Sequence, residues 1–350
     1  MSVPNVQLDL PRWNPANKKK QGFTESWIFR IHPFKKTDQS KGAFNSYALS
    51  LRFHLLVSEN GFRNASEVWA VFSKRVGKSA VSKIALKQMQ GIDAFRSEAN
   101  GTVAIGDSFF NSHTTQGRVQ AKGHLIEWNL KIKNTGSSPL DHIPELLNRW
   151  RITQYLGVTL SQNLDFDGTV MVDGENFEWT AARGMQAHQA GMHLGYSWAW
   201  AYAGRMEDDQ GRDSDFLFEA LTFRPRILGR LPGPKISSFF FNYRGEAFKF
   251  NKIWESIRAQ SRYELGGWKF KVDRGDLSFR GEVSADLKDF AGLTFEDTNG
   301  SVIHCASSNV SLAKIQVFRH GKLEASYTAV GNVSYEVASR TKNRYVSASI

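Results

Sequence analysis

The chain has 350 residues, of which 41% are hydrophobic and 13% aromatic, and its formal net charge is +11. This apolar content excludes a disordered chain, and the length predicts two domains or one large β architecture. The single cysteine, Cys305, excludes an intrachain disulfide and is expected to be a buried structural thiol. Because the chain has neither a paired-cysteine pattern nor an HExxH motif, we predict no metal site and no cofactor.

The basic charge permits weak attraction to anionic membrane surfaces. It does not favour nucleic acid as a main partner, because most Lys and Arg residues alternate with apolar residues and no nucleic-acid-binding motif is present. Residues 1–22 contain three prolines and predict an extended N-terminal arm without the apolar core of a signal peptide. No apolar run reaches the length of a transmembrane helix, so we expect a soluble, cytoplasmic protein, with peripheral membrane association left open.

Alternating apolar and polar residues predict β-strands through the first half of the chain. The alternation is clearest in Asn45–Val57, which we expect to be half-buried. Its apolar face consists of Tyr47, Leu49, Leu51, Phe53, Leu55 and Val57, and its polar face of Ser46, Ser50, Arg52 and His54. Further strands are predicted at Thr24–Phe34, Glu67–Ser73 and Gly123–Lys133.

One segment predicts a helix instead. In residues 141–155, Pro144 suits a first helical turn, and Leu147, Trp150 and Tyr155 fall roughly on one face. Downstream, Asp173 and Gly174 separate two short strand-like runs and predict a hairpin within 169–179.

The stretch Arg183–Ala203 combines polar residues with an alternating aromatic segment. Read as a strand, it has one face of small residues and one face formed by Tyr196, Trp198, Trp200 and Tyr202. A helix would scatter these aromatics around its circumference, so the pattern favours a strand. The aromatic face fits either an ordinary core or the lining of a ligand cavity, and both interpretations stay open. Upstream, Gln186, His188 and His193 could orient a ligand or a reacting group, although His188 also fits a core histidine.

The second half continues with short strands separated by turns. A polar, acidic loop over 207–215 suggests a boundary, so we expect an arm at 1–22, one domain at 23–205 and another at 206–350. The strands predicted here are Phe216–Phe223, Ile236–Tyr243, Ala247–Phe250, Tyr263–Val272, Asp276–Leu287, Leu293–Phe295, Val302–Cys305, Leu312–His320, Leu323–Thr328 and Ser334–Val337. Many short strands and few helices indicate an all-β protein of two packed barrels or sandwiches.

Three places in the chain resemble the lipocalin-like superfamily of carotenoid hydratase (hydroxyneurosporene synthase), tocopherol cyclase and AttH-like proteins. They are the opening strand residues 25–29 (ESWIF), the strand 123–131 with its Trp-polar-Leu pattern, and the motif GMQAHQAG at 184–191 followed by Trp198-Ala199-Trp200. The family's usual Trp before the last motif glycine is Ala190 here, which removes bulk. The resemblance implies two tandem lipocalin-like antiparallel β-barrels packed together, with few helices and an apolar pocket.

The resemblance also implies a reaction on an isoprenoid: protonation of a carbon–carbon double bond, followed by hydration, cyclisation or isomerisation. Such chemistry needs a positioned acid and aromatic rings that stabilise a carbocation. The candidate catalytic residues are His188, Glu178 and Glu25, and the candidate ligand-binding residues are Trp27, Gln186, His193, Tyr196, Trp198, Trp200 and Tyr202. Glu178 also fits a solvated hairpin carboxylate.

Three functions remain open from the sequence. The chain could be a hydratase- or cyclase-type enzyme that binds an apolar, isoprenoid or lipid-like molecule, or a non-catalytic lipid carrier or stress-related binding protein. It could also be an interaction module whose aromatic face is buried against a partner barrel. A fold of this kind hosts many functions, so binding is better supported than catalysis, and neither the ligand nor the oligomeric state is predicted.

Overall fold

The computed structural model describes residues 10–13, 22–33, 45–77, 79–136, 139–144, 155–227 and 231–350. Two large antiparallel sheets, one from each half of the chain, form two barrels. The first sheet contains β1 Phe23–His32, β2 Asn45–Val57, β3 Asn64–Val76, β4 Ser82–Gly91, β5 Phe95–Ser97, β6 Val103–Ile105, β7 Ser108–Phe110, β8 Thr114–Ala121, β9 His124–Asn134, β10 Leu140–Asp141, β11 Tyr155–Val172 and β12 Glu175–Gly191.

The second sheet begins with β13 Ser197–Ala203. It continues with β14 Met206–Glu207, β15 Asp213–Ser214, β16 Leu217–Arg224, β19 Ile236–Tyr243, β20 Glu246–Phe250, β21 Gln260–Glu264, β22 Gly267–Arg274, β23 Leu277–Ser284, β24 Ala291–Glu296, β25 Val302–Arg319 and β26 Lys322–Ser339. Between β16 and β19, a separate small hairpin pairs β17 Arg226–Ile227 with β18 Leu231–Pro232. The helical elements of the described residues are α1 Ile253–Arg258 and single 3-10 turns at Ile92–Ala94 and Leu287–Asp289.

Strand order brings the ends of each half of the chain together. In the first sheet, β1 lies between β2 and β12, so the opening strand pairs with the strand that carries the GMQAHQAG motif. In the second sheet, β13 lies between β16 and β26. Both barrels therefore hold their first strand in the middle of the sheet, where it is hydrogen-bonded on both sides.

Strands β1 and β2 are buried on both faces. The alternation predicted for β2 is present, and its apolar face joins the core of the first barrel. Its polar face is not solvated, however, because it packs toward the second barrel, and Arg52 is only 8% exposed. In β1, Trp27 and Phe29 point into the first barrel, while Ile28 and Arg30 alternate with them on the buried outer face. Residues predicted to be half-buried are thus enclosed by the second barrel.

The stretch Arg183–Ala203 is divided between the two barrels. Strand β12 ends at Gly191 in the first sheet, and β13 starts at Ser197 in the second, so residues 192–196 are the crossing. The sheets change here, which differs from the boundary expected after residue 205. The small face predicted for β13 is real: its alanines fill the core of the second barrel, while the aromatic face points toward the first.

Other predicted elements have mixed outcomes. The hairpin at Asp173-Gly174 joins β11 to β12 as expected, but β25 and β26 are long continuous strands where shorter pieces were predicted. The predicted helix over 141–155 lies largely outside the described residues, and its first residues instead form the end of β10 and a loop. Most of the predicted arm 1–22 also lies outside them. Cys305 is a buried free thiol, as expected.

Candidate functional site

A cavity of about 600 Å³ lies between the two barrels. Its first wall is formed by β1, β2, β11 and β12 with the residues that follow β10, and its second wall by β13, β16, β24 and β26. Residues 192–195 of the crossing lie at its edge. This volume falls in the range of small-molecule sites. The wall is largely apolar and aromatic, with Ile28, Met185, Ala187, Leu194, Trp198, Trp200, Leu221, Phe223 and Phe295.

One carboxylate from the second barrel, Glu219 of β16, reaches this cavity and is fully buried. Its Oε1 accepts hydrogen bonds from Thr159 Oγ1 at 2.7 Å and from Trp200 Nε1 at 2.9 Å. Nε2 of His142 lies 3.2 Å from the same oxygen. Burial by itself raises the pKa of Glu219, but His142 and the hydrogen bonds from Thr159 and Trp200 outweigh burial and hold the pKa below its usual value.

The bonds around His142 fix the position of one proton. Because the Thr159 hydroxyl donates its hydrogen to Glu219, its oxygen must accept the 2.9 Å bond from His142 Nε2. The Nε2 atom therefore carries a hydrogen, and Nδ1 faces the Ser238 hydroxyl at 2.7 Å. The arrangement is a proton-bearing imidazole beside an ionised carboxylate in an apolar wall, which can move a proton or stabilise a positive charge.

A second buried ion pair spans the cavity from one wall to the other. The guanidinium of Arg30 on β1 binds the carboxylate of Glu336 on β26 and the hydroxyl of Ser50, and Ser307 also donates to Glu336 at 3.1 Å. The Arg30 guanidinium also lies 5.4 Å from the ring centre of Trp200. This pair joins the two barrels directly, and it holds the Trp200 ring against the first barrel.

The edge of the cavity is organised by Asp297. Its Oδ2 accepts hydrogen bonds from Arg226 at 2.7 Å and Arg340 at 2.6 Å, and its Oδ1 accepts from the backbone amides of Leu194 and Thr298. Burial alone would raise the pKa of Asp297, but these donors and the neighbouring imidazole hold it below its usual value. One carboxylate thus ties the crossing segment, the small β17–β18 hairpin and the end of β26 together.

The aromatic residues predicted as ligand contacts separate into two groups. Trp198 and Trp200 line the cavity, and so does His193 at its edge, where its Nδ1 lies 3.0 Å from the Thr298 hydroxyl. Tyr202 lies on the same face of β13 but is buried in the barrel contact, where its hydroxyl donates to the backbone carbonyl of Gln162. Tyr196 precedes β13 and does not line the cavity.

The structure brings the predicted residues Glu25, Trp27 and His188 together, but inside the first barrel. His188 Nε2 lies 2.8 Å from Glu25 Oε1, and the Trp27 ring stacks on the imidazole with centroids 4.9 Å apart. Gln186 shares this face, because it is opposite Phe29 in the register. The alternation of β1 and β12 directs all four side chains away from the cavity, whose wall they do not line.

This inner cluster has a structural explanation. The Glu25 carboxylate accepts the backbone amides of Arg12 and Trp13, at 2.8 Å and 3.0 Å, and so anchors the N-terminal segment. The motif glycine Gly184 allows close packing, because a Cβ there would lie 2.3 Å from the carbonyl oxygen of Arg30. Glu25, Trp27, Gly184 and His188 therefore belong to the interior of the first barrel, whereas Trp198 and Trp200, which also carry the resemblance, line the cavity.

Glu178, the third predicted acid, is exposed near the β11–β12 turn and does not line the cavity. Sequence reasoning instead missed Arg30, Arg52, His142, Glu219 and Glu336. The available signal was a charged residue within a run of apolar or small residues, as for Glu219 in LFEALTFR. Such a residue is rarely buried without a partner or a function.

Two buried histidines near the barrel contact, His32 and His54, make stability depend on pH. Burial lowers the pKa of His32 to about 4 and that of His54 to about 3. At pH 5 they stay neutral in the folded protein, whereas in the unfolded chain, with a pKa of about 6.5, they bind protons. The free energy of unfolding should therefore fall as pH decreases below about 6.5, by about 2 kcal/mol per histidine at pH 5.

Urea unfolding of the wild type and of His54→Gln at pH 7.5 and pH 5 tests this expectation. The variant should lose less stability on acidification than the wild type, and the exposed-site control His113→Gln should behave like the wild type. An equal acid-induced loss in wild type and His54→Gln would show that His54 does not contribute.

Within the described ranges, no group of three or more His, Cys, Asp or Glu side chains is placed to hold a metal ion. No helix in the same part of the chain is long and apolar enough to cross a membrane.

Two solved structures have a similar architecture. An AttH-like protein from Nitrosomonas europaea matches with a TM-score of 0.52 at 12% identity, covering 93% of both chains. Kievitone hydratase from Nectria haematococca matches with a TM-score of 0.54 at 11% identity, covering 97% of this chain and 93% of the other. No family model and no curated protein sequence matches. At such identities the likeness concerns the fold, and it confirms the resemblance at that level: this chain has the two-barrel lipocalin-like fold of AttH-like proteins and kievitone hydratase.

Proposed function

We propose that this protein binds an apolar, isoprenoid or lipid-like molecule between its barrels and catalyses acid-type hydration or cyclisation of a carbon–carbon double bond. The observation that carries the proposal is the His142–Glu219 pair in the wall of an otherwise largely apolar cavity of about 600 Å³. The similar fold of kievitone hydratase, a hydratase by name, supports the same reaction class. Fold likeness alone does not transfer an activity, so the proposal depends on the site.

The proposed reaction assigns one role to each group. The protonated imidazole of His142 delivers a proton to one alkene carbon and becomes neutral. The positive charge that develops on the other carbon is stabilised by the ionised Glu219 and by the ring faces of Trp198 and Trp200. A water molecule then adds to the cation and returns a proton to His142. When a second double bond of the same ligand adds instead of water, a ring forms, and a proton from a carbon next to the new cation returns to His142.

A non-catalytic carrier is the second candidate, and one observation favours it. Oε1 of Glu219 already accepts hydrogen bonds from Thr159 and Trp200, and the pKa of this carboxyl is held below its usual value, which makes Glu219 itself a poor proton donor. If His142 also fails to protonate the ligand, the cavity binds without turnover. Incubation with prenylated alkenes in D₂O separates the two candidates, because protonation places deuterium on carbon and simple binding does not.

Binding in the cavity is tested by filling it. The cavity-lining residue Ala187 is only 7% exposed, so Ala187→Leu adds bulk inside the cavity without entering the core of either barrel. Isoprenoid alcohols and fatty acid esters should quench the tryptophan fluorescence of the wild type saturably, and Ala187→Leu should bind them at least about tenfold more weakly. Melting temperatures serve as the folding control. Unchanged affinity in folded Ala187→Leu would place the ligand elsewhere.

A further inference from the structure

Arg52 is a buried cation in the cavity wall. Its side chain projects from the outer face of β2 and is 8% exposed. Its Nη1 lies 3.4 Å from the Ser26 hydroxyl, a weak hydrogen bond, and among the described residues no carboxylate comes within ion-pair distance of its guanidinium. Burial lowers the pKa of Arg52, yet an arginine side chain stays charged in proteins.

The charges around Arg52 do not neutralise it. Glu336, on the facing wall, attracts Arg52 electrostatically but is bound by Arg30, so one carboxylate faces two guanidiniums. His54, the next residue on the same face of β2, is neutral because burial and Arg52 lower its pKa to about 3. The net charge of this part of the wall is therefore positive.

Aromatic rings hold the guanidinium without satisfying its donors. The centre of the guanidinium lies 4.6 Å from the ring centre of Phe295 and 5.8 Å from that of Trp69. Stacking of this kind fixes the plane of the side chain and leaves its N–H groups available at the edge. An arginine held over aromatic rings in a cavity wall is pre-organised for an anion.

Two polar neighbours line the same cavity. The Tyr155 hydroxyl donates to Gln189 Oε1 at 3.1 Å, which fixes the orientation of the amide and leaves its nitrogen as a donor group. An uncompensated buried charge costs several kcal/mol, and a carboxylate that accepts two parallel N–H bonds is the ligand group that best compensates an arginine. We infer that the cavity recognises an apolar molecule that ends in a carboxylate, held by Arg52. This inference rests on the proposed binding function.

Arg52 and Glu219 also set the direction of the ligand. They reach the cavity from opposite walls, one from the first sheet and one from the second. A carboxylate is attracted by Arg52 and repelled by the ionised Glu219, so the apolar body extends from Arg52 along the tryptophans toward His142. The acid end and the reacting double bond are thus separated within one molecule.

The test compares cis-parinaric acid with its methyl ester, since the two probes differ only in the charged group. The wild type should bind the acid at least about tenfold more tightly than the ester by fluorescence titration. In Arg52→Met this preference should disappear while ester binding is unchanged, and Arg52→Lys should keep part of it. Arg280→Met is the matched control, because Arg280 is exposed on the second barrel and also stacks on a ring, that of Phe318.

The possible outcomes separate this inference from the proposed function. Equal affinities for acid and ester in the wild type would overturn the role of Arg52, while ester binding that Ala187→Leu removes would still support the cavity. If the wild type binds neither probe, both this inference and the proposed binding function are wrong. Arg52→Met without ligand should melt at the same temperature as the wild type or higher. A large drop in its melting temperature would overturn the inference by showing that the cation is required for packing.

Discussion

Glu219→Gln should lower alkene turnover by about 10²- to 10⁴-fold while leaving ligand affinity within a few-fold of the wild type. Glutamine fills the same space, and its carbonyl oxygen can still accept from Thr159 and Trp200. It removes the negative charge that stabilises both a protonated His142 and a carbocation. The measurement is the rate of deuterium incorporation in D₂O with the alkene identified in the binding experiments.

The matched control is Glu178→Gln. Glu178 is exposed near the β11–β12 turn, so the same chemical change there should leave the rate unchanged. Equal rates in the wild type and Glu219→Gln would remove this carboxylate from the mechanism. If both variants and the wild type bind the ligand but leave it unchanged, the carrier function is correct.

Asp297→Ala should lower the free energy of unfolding by about 3–5 kcal/mol, the largest stability effect that we expect from a single substitution in this protein. The Asp297 side chain is fully buried, whereas those of its partners Arg226 and Arg340 are 8% and 15% exposed. Removal of the carboxylate leaves both guanidiniums, and the amides of Leu194 and Thr298, without their acceptor. Urea unfolding at pH 7.5 measures the change.

Asp286→Ala is the control for this prediction, because the Asp286 side chain is 70% exposed and its contact with Lys288 is long, at 3.7 Å. It should change stability by less than about 1 kcal/mol. A loss of similar size in both variants, or less than about 1 kcal/mol in Asp297→Ala, would contradict the role of Asp297 in tying the crossing segment to the second barrel.

Many of the strands of this protein could be predicted from the local sequence pattern. The period of two along Asn45–Val57 predicts that strand with the bounds that the structure has, and the turn at Asp173-Gly174 predicts the hairpin that joins β11 to β12. These features depend on residues adjacent in sequence, whose alternation and turn preference act over a few positions. The alternation in β13 also predicts its two chemically different faces.

Which of these strand faces would be buried, and against what, could not be predicted from the local pattern. Alternation shows that Arg52 and the apolar residues of β2 point in opposite directions, but not that a second barrel covers the arginine. The same limit applies to His188 and Trp198, which are ten residues apart and were expected in one site. They belong to different sheets, and only one of them faces the cavity.

The sequence alone determines that the protein consists of two all-β units. Alternating apolar and polar residues, turn residues and the small alanines of β13 are sufficient, because strand formation follows from local periodicity and from burial of one apolar face. The site depends on contacts between residues far apart in sequence. Glu219 meets His142 and Thr159, and Arg30 meets Glu336, only after the barrels pack. Packing excludes water from these charged groups and places them in an apolar wall, and no local pattern encodes which charged residues will be enclosed in this way.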